Sequence, residues 1–439
     1  MNGGGVYVSG TFNMYDGAII DNHVKSLLDN NTGNGGGVFL ASVSSDYTAL
    51  KFTMEGGIIS GNTATKADDD DDNENKAGNG GGVFISFPAT SSDLTGSFIM
   101  IDGTISGNTA EYGGGVYVDA NTGKTDDSFT MEGGTISGNT AVDDGGGVYI
   151  TGGKVTIKNN ASITSNTATE NGGGIYNNGY LIMEGGTIGG NGFDDEGIIT
   201  KNGGGVYVAE KAEFVMEGGT IGETLEEDKN TATNNGGGVY VDLKANFTMI
   251  DGTISNNTAN SGGGVYVHST NMTDGGIFTM NNGTISNNKS NNGGGVYINN
   301  YATFTMNNGT ISGNNATVNG GGVYSNGNFK MFDGTIGGTS EDDKNEATNG
   351  GGFFGNTAGS FQMTGGTISK NKAANIGGGV DYIIGVASIH PSFITGGKIT
   401  DNKALLFGGI AEPSNDSFFI NDNKPAIVYG NTPKEDYED

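Results

Sequence analysis

The sequence predicts an all-β fold: a right-handed parallel β-helix (solenoid) of about 13–14 coils, each of roughly 26–33 residues with three short strands. Three observations carry this expectation. The triplet Gly-Gly-Gly occurs 13 times, starting at 3, 35, 80, 113, 145, 172, 203, 236, 262, 293, 320, 350 and 377, a mean spacing of about 31 residues with a shortest interval of 26. Glycine supplies 85 of 439 residues. That density excludes helices, where each glycine costs ~1 kcal/mol relative to alanine, and it lacks the every-third-residue rule of collagen. Finally, every copy repeats the same short apolar phrases, separated by Gly and Asn corners.

Residues 293–319 show the elements in order. After the glycines comes Val296-Tyr297-Ile298, with aliphatics on one face and an aromatic on the other. A variable loop leads to Phe304-Thr305-Met306, where Phe and Met share a face, and a Gly corner leads to Thr310-Ile311-Ser312, where Ile points one way and its neighbours the other. Each phrase has the period of a strand. Strands this short cannot bury a face alone. Stacking the copies places like residue on like residue at ~4.8 Å, and the crossover rule for parallel strands makes the winding right-handed.

The core follows from the same register. The Phe position recurs at Phe12, Phe52, Phe98, Phe129, Phe214, Phe247, Phe278, Phe304, Phe329, Phe361 and Phe393, and eleven of the 13 methionines occupy the Met position. Stacked Phe and Met fill a narrow interior and exclude water. Asparagine follows the third-strand Ile at a fixed offset of three, as in Ile105 to Asn108 and Ile311 to Asn314, and acidic insertions delay it to Asn230 and Asn345. These amides are expected to bond from coil to coil as an inward ladder at a turn. Residues 1–403 form the repeat domain. Residues 404–439, with Pro413, Pro425 and Pro433, read as an imperfect last coil, a C-terminal cap and an acidic tail.

Charge removes several function classes. Forty-nine acidic residues against 20 basic ones give a net charge of −29, and every basic residue is lysine. Without arginine or a basic patch, nucleic acid and anionic membrane are excluded as partners. Cysteine is absent, so disulfides and thiolate metal sites are impossible, and no apolar run is long enough to span a membrane as a helix. The chain starts inside a repeat, which suggests a segment of a longer protein whose uncapped N-terminal coil invites end-to-end stacking.

The outward positions carry any binding function. Tyr117, Tyr149, Tyr207, Tyr240, Tyr266 and Tyr297 sit in the middle of the first strand and are expected to form an aromatic stripe. Thr104, Thr135, Thr253, Thr284 and Thr310, each with a Ser two residues on, form a flat polar face. Such a face reads first as ordinary solvent-facing strand, with ice binding as the sharper alternative. No cofactor is expected. Asp68, Asp70 and Asp72, within a run of five aspartates, are weak candidates for calcium, because the run lacks the Gly-Asp spacing of known calcium loops. No catalytic constellation stands out: His23, His268 and His390 lie in non-equivalent coils, and no nucleophile elbow is present. A hidden pair of carboxylates is the remaining enzymatic reading.

Gly-Gly-Gly-Val-Tyr followed by Ile-Ser-Gly-Asn resembles the paired Gly-Gly-Ala-Ile and Phe-x-x-Asn motifs of polymorphic outer-membrane proteins and related autotransporter passengers. The likeness runs from residue 3 to about 403, with Gly in place of Ala and Ile in place of Phe. The resemblance implies an extracellular or bacterial cell-surface location. It also implies an adhesin or rigid stalk that binds a glycan or protein on a host or neighbouring cell. A polysaccharide-active lyase or hydrolase, an ice-binding β-helix and a purely structural spacer are the alternatives.

Overall fold

The computed structural model describes residues 3–25, 33–41, 49–65, 78–87, 95–120, 127–193, 197, 199–222, 229–338, 340, 343–356, 359–383, 392–411, 419–420, 427–429 and 431–433. The chain divides into two compact units, Met1–Glu223 with Glu227–Ala232, and Thr224–Glu226 with Thr233–Asp439. Both are windings of a right-handed parallel β-helix. Among the described residues the named strands pair in parallel, and like residues meet in register.

In the first unit the first strands run Val6–Val8, Val38–Ala41, Val83–Phe87, Val116–Ala120, Val148–Ile150, Ile175–Asn177 and Val206–Val208, each hydrogen-bonded to the next. The second strands align Phe52, Phe98 and Phe129, with Met54, Met100 and Met131 beside them. All six side chains are fully buried. The Phe rings stack at centroid distances of 4.5 and 4.8 Å. Val155 and Leu181 continue the Phe position and Ile157 the Met position, so aliphatics substitute where volume allows. The third strands stack Ile59, Ile105, Ile136 and Ile163.

The second unit repeats this plan, with first strands from Val239–Val241 to Ile410–Ala411 and an inner Phe ladder of Phe247, Phe278, Phe304, Phe329 and Phe361. One expectation fails there. Phe393 pairs with Gln362 and Ile394 with Met363, so Phe393 falls on the outer face, half-buried, and does not extend the Phe ladder. Bulk arrives from the first strand instead. Phe353 stacks on Phe361 at 4.5 Å, and buried Tyr382 donates its hydroxyl to the Gly359 carbonyl at 2.7 Å. Ser392 then suffices at the inner place, where its hydroxyl accepts from the Phe361 N–H at 3.1 Å.

The coil also carries a short strand after the Asn, which the three-phrase reading treated as a turn. It runs through His23–Lys25, Thr63–Thr65, Thr109–Tyr112, Thr140–Asp144 and Thr167–Ala168 in the first unit. In the second it runs from Lys289–Asn292 to Thr432–Pro433. Its alanine is the inward residue: Ala64, Ala110, Ala141 and Ala168 are all fully buried.

The glycine triplet has a steric cause. Gly293 sits at φ 66°, where a side chain is strained. A Cβ on Gly295 would lie 2.6 Å from the Gly322 carbonyl oxygen, 3.0 Å from Ile311 Cγ2 and 3.1 Å from Asn314 Nδ2. The triplet is therefore where successive backbones and the inner Asn approach too closely for any side chain. Its N–H groups donate straight up the stack, Gly294 to Gly320 O and Gly295 to Gly321 O.

From Asn62 to Asn402 the Asn ladder is fully buried and hydrogen-bonded. Asn314 Nδ2 donates to Ile285 O at 2.9 Å and to Asn345 Oδ1 at 3.0 Å, while its own Oδ1 accepts from both the N–H and the Nδ2 of Asn288. In the first unit the same bonds run through Asn62, Asn108, Asn139, Asn166 and Asn191 to Asn230. The delayed Asn230 and Asn345 take their places in it, so the acidic insertions leave the ladder intact. Beyond residue 403, Asn431 accepts from Asn402, and Ile410–Ala411, Phe419–Ile420, Ile427–Tyr429 and Thr432–Pro433 pair with the coil before. Pro413, Pro425 and the acidic tail lie outside the described residues.

Candidate functional site: an outer aromatic ladder

Alternation along the first strand sends Val296 and Ile298 into the core and Tyr297 to the opposite face. Repeated in register, this builds a second aromatic ladder outside the helix. In the first unit Tyr7, Phe39, Phe84, Tyr117, Tyr149, Tyr176 and Tyr207 stack at 4.7–5.5 Å. In the second, Tyr240, Tyr266, Tyr297, Tyr324 and Phe354 stack at 4.6–5.3 Å. Phe39, Phe84 and Phe354 belong to the ladder although the tyrosine pattern passed over them; their signal is Gly-Gly-Gly followed by Val-Phe or Phe-Phe.

The predicted residues are on this face but are less open than a free stripe. Tyr117, Tyr149, Tyr207 and Tyr297 are half-buried, whereas Tyr240 and Tyr266 are only 6% and 7% exposed. Each ring spends its two faces on its neighbours, so edges and hydroxyls are what solvent meets. Burial accordingly raises the Tyr117, Tyr149, Tyr240 and Tyr297 hydroxyls above the ordinary phenol value, and Tyr266 to about 12. The phenols are neutral donors and acceptors at physiological pH.

Amides flank the rings. The residue before the glycine triplet forms a second, outer ladder, except that in the coil of Gly377 that place is Ile376 and the preceding Asn375 makes the bond. Asn171 Nδ2 donates to Asp144 Oδ1 and Asn202 Nδ2 to Asn171 Oδ1, both at 3.0 Å; Asn349 Nδ2 donates to Asn319 Oδ1 at 2.9 Å and Asn375 Nδ2 to Asn349 Oδ1 at 3.1 Å. On the other side, His268 lies against Tyr240 and Tyr266, and Asn326 Nδ2 donates to the Tyr297 hydroxyl at 3.3 Å. Burial lowers the His268 pKa, which favours the neutral ring.

Two carboxyls interrupt these ladders. Asp144 replaces an amide; burial first, then Asp143 and Glu170, push it up to about 7 against the hydrogen bonds from Asn171. Asp381 replaces an aromatic, in register with Phe354, and burial raises it to about 6. Neither carboxyl stood out in the sequence, because each is one acid among 49.

The other expectations divide. Thr104 pairs with Thr135, and Thr253, Thr284 and Thr310 pair in succession; all are half-buried on the outer side of the third strand. Asp68, Asp70 and Asp72 lie outside the described residues, as does His390. Among the described residues no group of three His, Asp or Glu side chains is placed to hold a metal, and no helix is long and apolar enough to cross a membrane.

A repeated parallel β-helix with an inner amide ladder and an outer aromatic one defines the class of protein. Residues 155–178 match the family model described as the Chlamydia polymorphic membrane protein repeat. That stretch contains Asn166, the triplet Gly172–Gly174 and Tyr176, one member of each ladder with the corner between them. The chain is thus like a polymorphic outer-membrane protein or autotransporter passenger in repeat and in fold. No curated protein and no solved structure matches it.

Proposed function

We propose that the chain is a surface-displayed or secreted bacterial β-helix that acts as an adhesin, meeting a glycan or protein along the outer aromatic ladder. The observation that supports this is the polar strip itself: a column of phenol edges flanked by amides, repeated at the coil spacing of about 5 Å. A strip of donors and acceptors at a constant interval suits an extended partner with its own repeat, and a net charge of −29 turns away acidic surfaces. Binding would use hydrogen bonds to ring edges, since the ring faces are already stacked. The loops after the first strand, near 41–51, 86–97 and 119–128, would add specificity; most of their residues lie outside those described.

The test replaces hydroxyls without removing rings. Tyr117→Phe, Tyr149→Phe, Tyr207→Phe and Tyr297→Phe together should leave the β-sheet spectrum and melting temperature nearly unchanged. Attachment to cells or to a glycan array should fall at least tenfold. Undiminished attachment by the quadruple variant would reject this strip as the binding surface.

A further inference from the structure

The outer ladder of the second unit ends abruptly. Phe354 is its last ring; the next two coils place Asp381 and Ala411 at the same register position. Two successive coils therefore lack the ring that every earlier coil of that unit supplies. The vacated space is a cavity of about 630 Å³. Its wall is mostly apolar, formed by Phe354, Ile376, Ile383 and Phe407. Ile383 and Phe407 are 39% and 58% exposed, large apolar side chains held at an open rim.

Four polar side chains also line the cavity, Asn319, Asn349, Asn375 and Asp381; the first two have their carbonyl oxygens taken up in the amide ladder, and the other two do not. Asp381 is 8% exposed, and its carboxylate has no hydrogen-bond or ion-pair partner among the described residues. Asn375 closes the outer amide ladder: its Nδ2 donates to Asn349, and its Oδ1 accepts nothing among the described residues. Asp381 is largely enclosed yet has no protein donor among the described residues, which is costly for a carboxylate, and both acceptors open onto the cavity, where a ligand's donors can reach them. Among the described residues no lysine lines the cavity.

We propose that this cavity is a binding site for a planar aromatic ring bearing a cationic nitrogen group, an arylamine or arylamidine. The ring would continue the stack interrupted after Phe354, between Ile383 and Phe407. Its nitrogen would donate to Asp381 and Asn375. Volume fits a small aromatic ligand, and the negative charge of the chain favours a cation. This site lies on the outer face but does not depend on the adhesin reading, since its ligand is small and its residues are not those of the hydroxyl test.

The experiment titrates the full chain with benzamidine, using benzoate and cyclohexylamine as controls. The readout is saturation-transfer NMR, with calorimetry for affinity. Benzamidine should bind, benzoate should not, and cyclohexylamine should bind more weakly by at least fivefold. Asp381→Asn should weaken benzamidine binding at least tenfold. Asp381→Tyr should restore the missing ring, fill the space and abolish binding. Phe407→Ala, at an exposed rim where folding is not at stake, should weaken binding severalfold. No binding to the unaltered chain, equal affinity in Asp381→Asn, or equal response to benzoate would each overturn the assignment.

Discussion

The inner Asn ladder and the outer aromatic ladder share one register, one spacing and one strand scaffold, yet they tolerate change very differently. From Asn62 to Asn402 the inner amides are wholly buried, and Asn314 shows their pattern of bonds upward, downward and to an Ile carbonyl. Nothing but Asn occurs in the hydrogen-bonded run from Asn62 to Asn230, or in that from Asn257 to Asn431. The outer ladder accepts Tyr, Phe and, in two successive coils, Asp and Ala. The difference is the cost of an unmet partner. A missing inner amide strands buried donors and a carbonyl in a dry interior, whereas a missing outer ring opens a space that water or a ligand can enter.

The sharpest way to break this comparison is Asn314→Ala. It removes the acceptor for two Asn288 donors and the donor to Ile285 O. A loss of roughly 3–5 kcal/mol is expected, read as a large fall in denaturant midpoint. A smaller effect is expected outside. Tyr297→Ala removes a half-buried ring stacked at 4.9 and 4.6 Å and should cost about 2–3 kcal/mol. Tyr297→Phe keeps the stack and should cost less than about 0.5 kcal/mol. Equal losses for Asn314→Ala and Tyr297→Phe would erase the distinction between the ladders.

Asp144 offers the finest resolution. Its carboxyl is raised to about 7 in the fold from an ordinary 3.8, so folding favours the protonated form. Stability from this group is intact below about pH 4 and is lost as pH rises toward 7, because the unfolded chain ionises first. Asn at this position can still accept from Asn171, as Asn171 accepts from Asn202 in the next coil. Asp144→Asn should therefore melt higher than the unaltered chain at pH 8, by about 1–2 kcal/mol after allowance for its solvent contact. The gap should close by pH 4. A pH-independent difference would show that the carboxyl is not penalised there.

Much of this was legible in the repeat. Periodicity alone places Phe52, Met54, Ile59 and Asn62 on one interior, because a two-residue alternation repeated at fixed offsets admits a single register. The delayed Asn230 and Asn345 were equally readable, since an insertion at a turn leaves the stacked residue in place. Phe393 was not: the spacing matched, but Tyr382 had already filled the interior, and only packing reveals that competition. The burial of Tyr240 and Tyr266 was hidden for a similar reason. Alternation assigns a face, not the neighbours that cover it, and here the cover is the same residue from adjacent coils together with His268. Asp381 became visible only as an exception, once the ladder it interrupts was known.

The central claim is that equivalent residues of successive coils lie side by side. The chain contains no cysteine, so a designed pair reports on this without background. Thr279 and Thr305 are register partners in adjacent parallel strands, with both side chains on the outer face and away from either ladder. Thr279→Cys with Thr305→Cys should close a disulfide within the monomer under mild oxidation, because partners at this spacing meet the required geometry. Thr279→Cys with Met306→Cys should remain reduced, since Met306 faces the interior. Crosslinking of the second pair in preference to the first, or of neither, would contradict the stacked register.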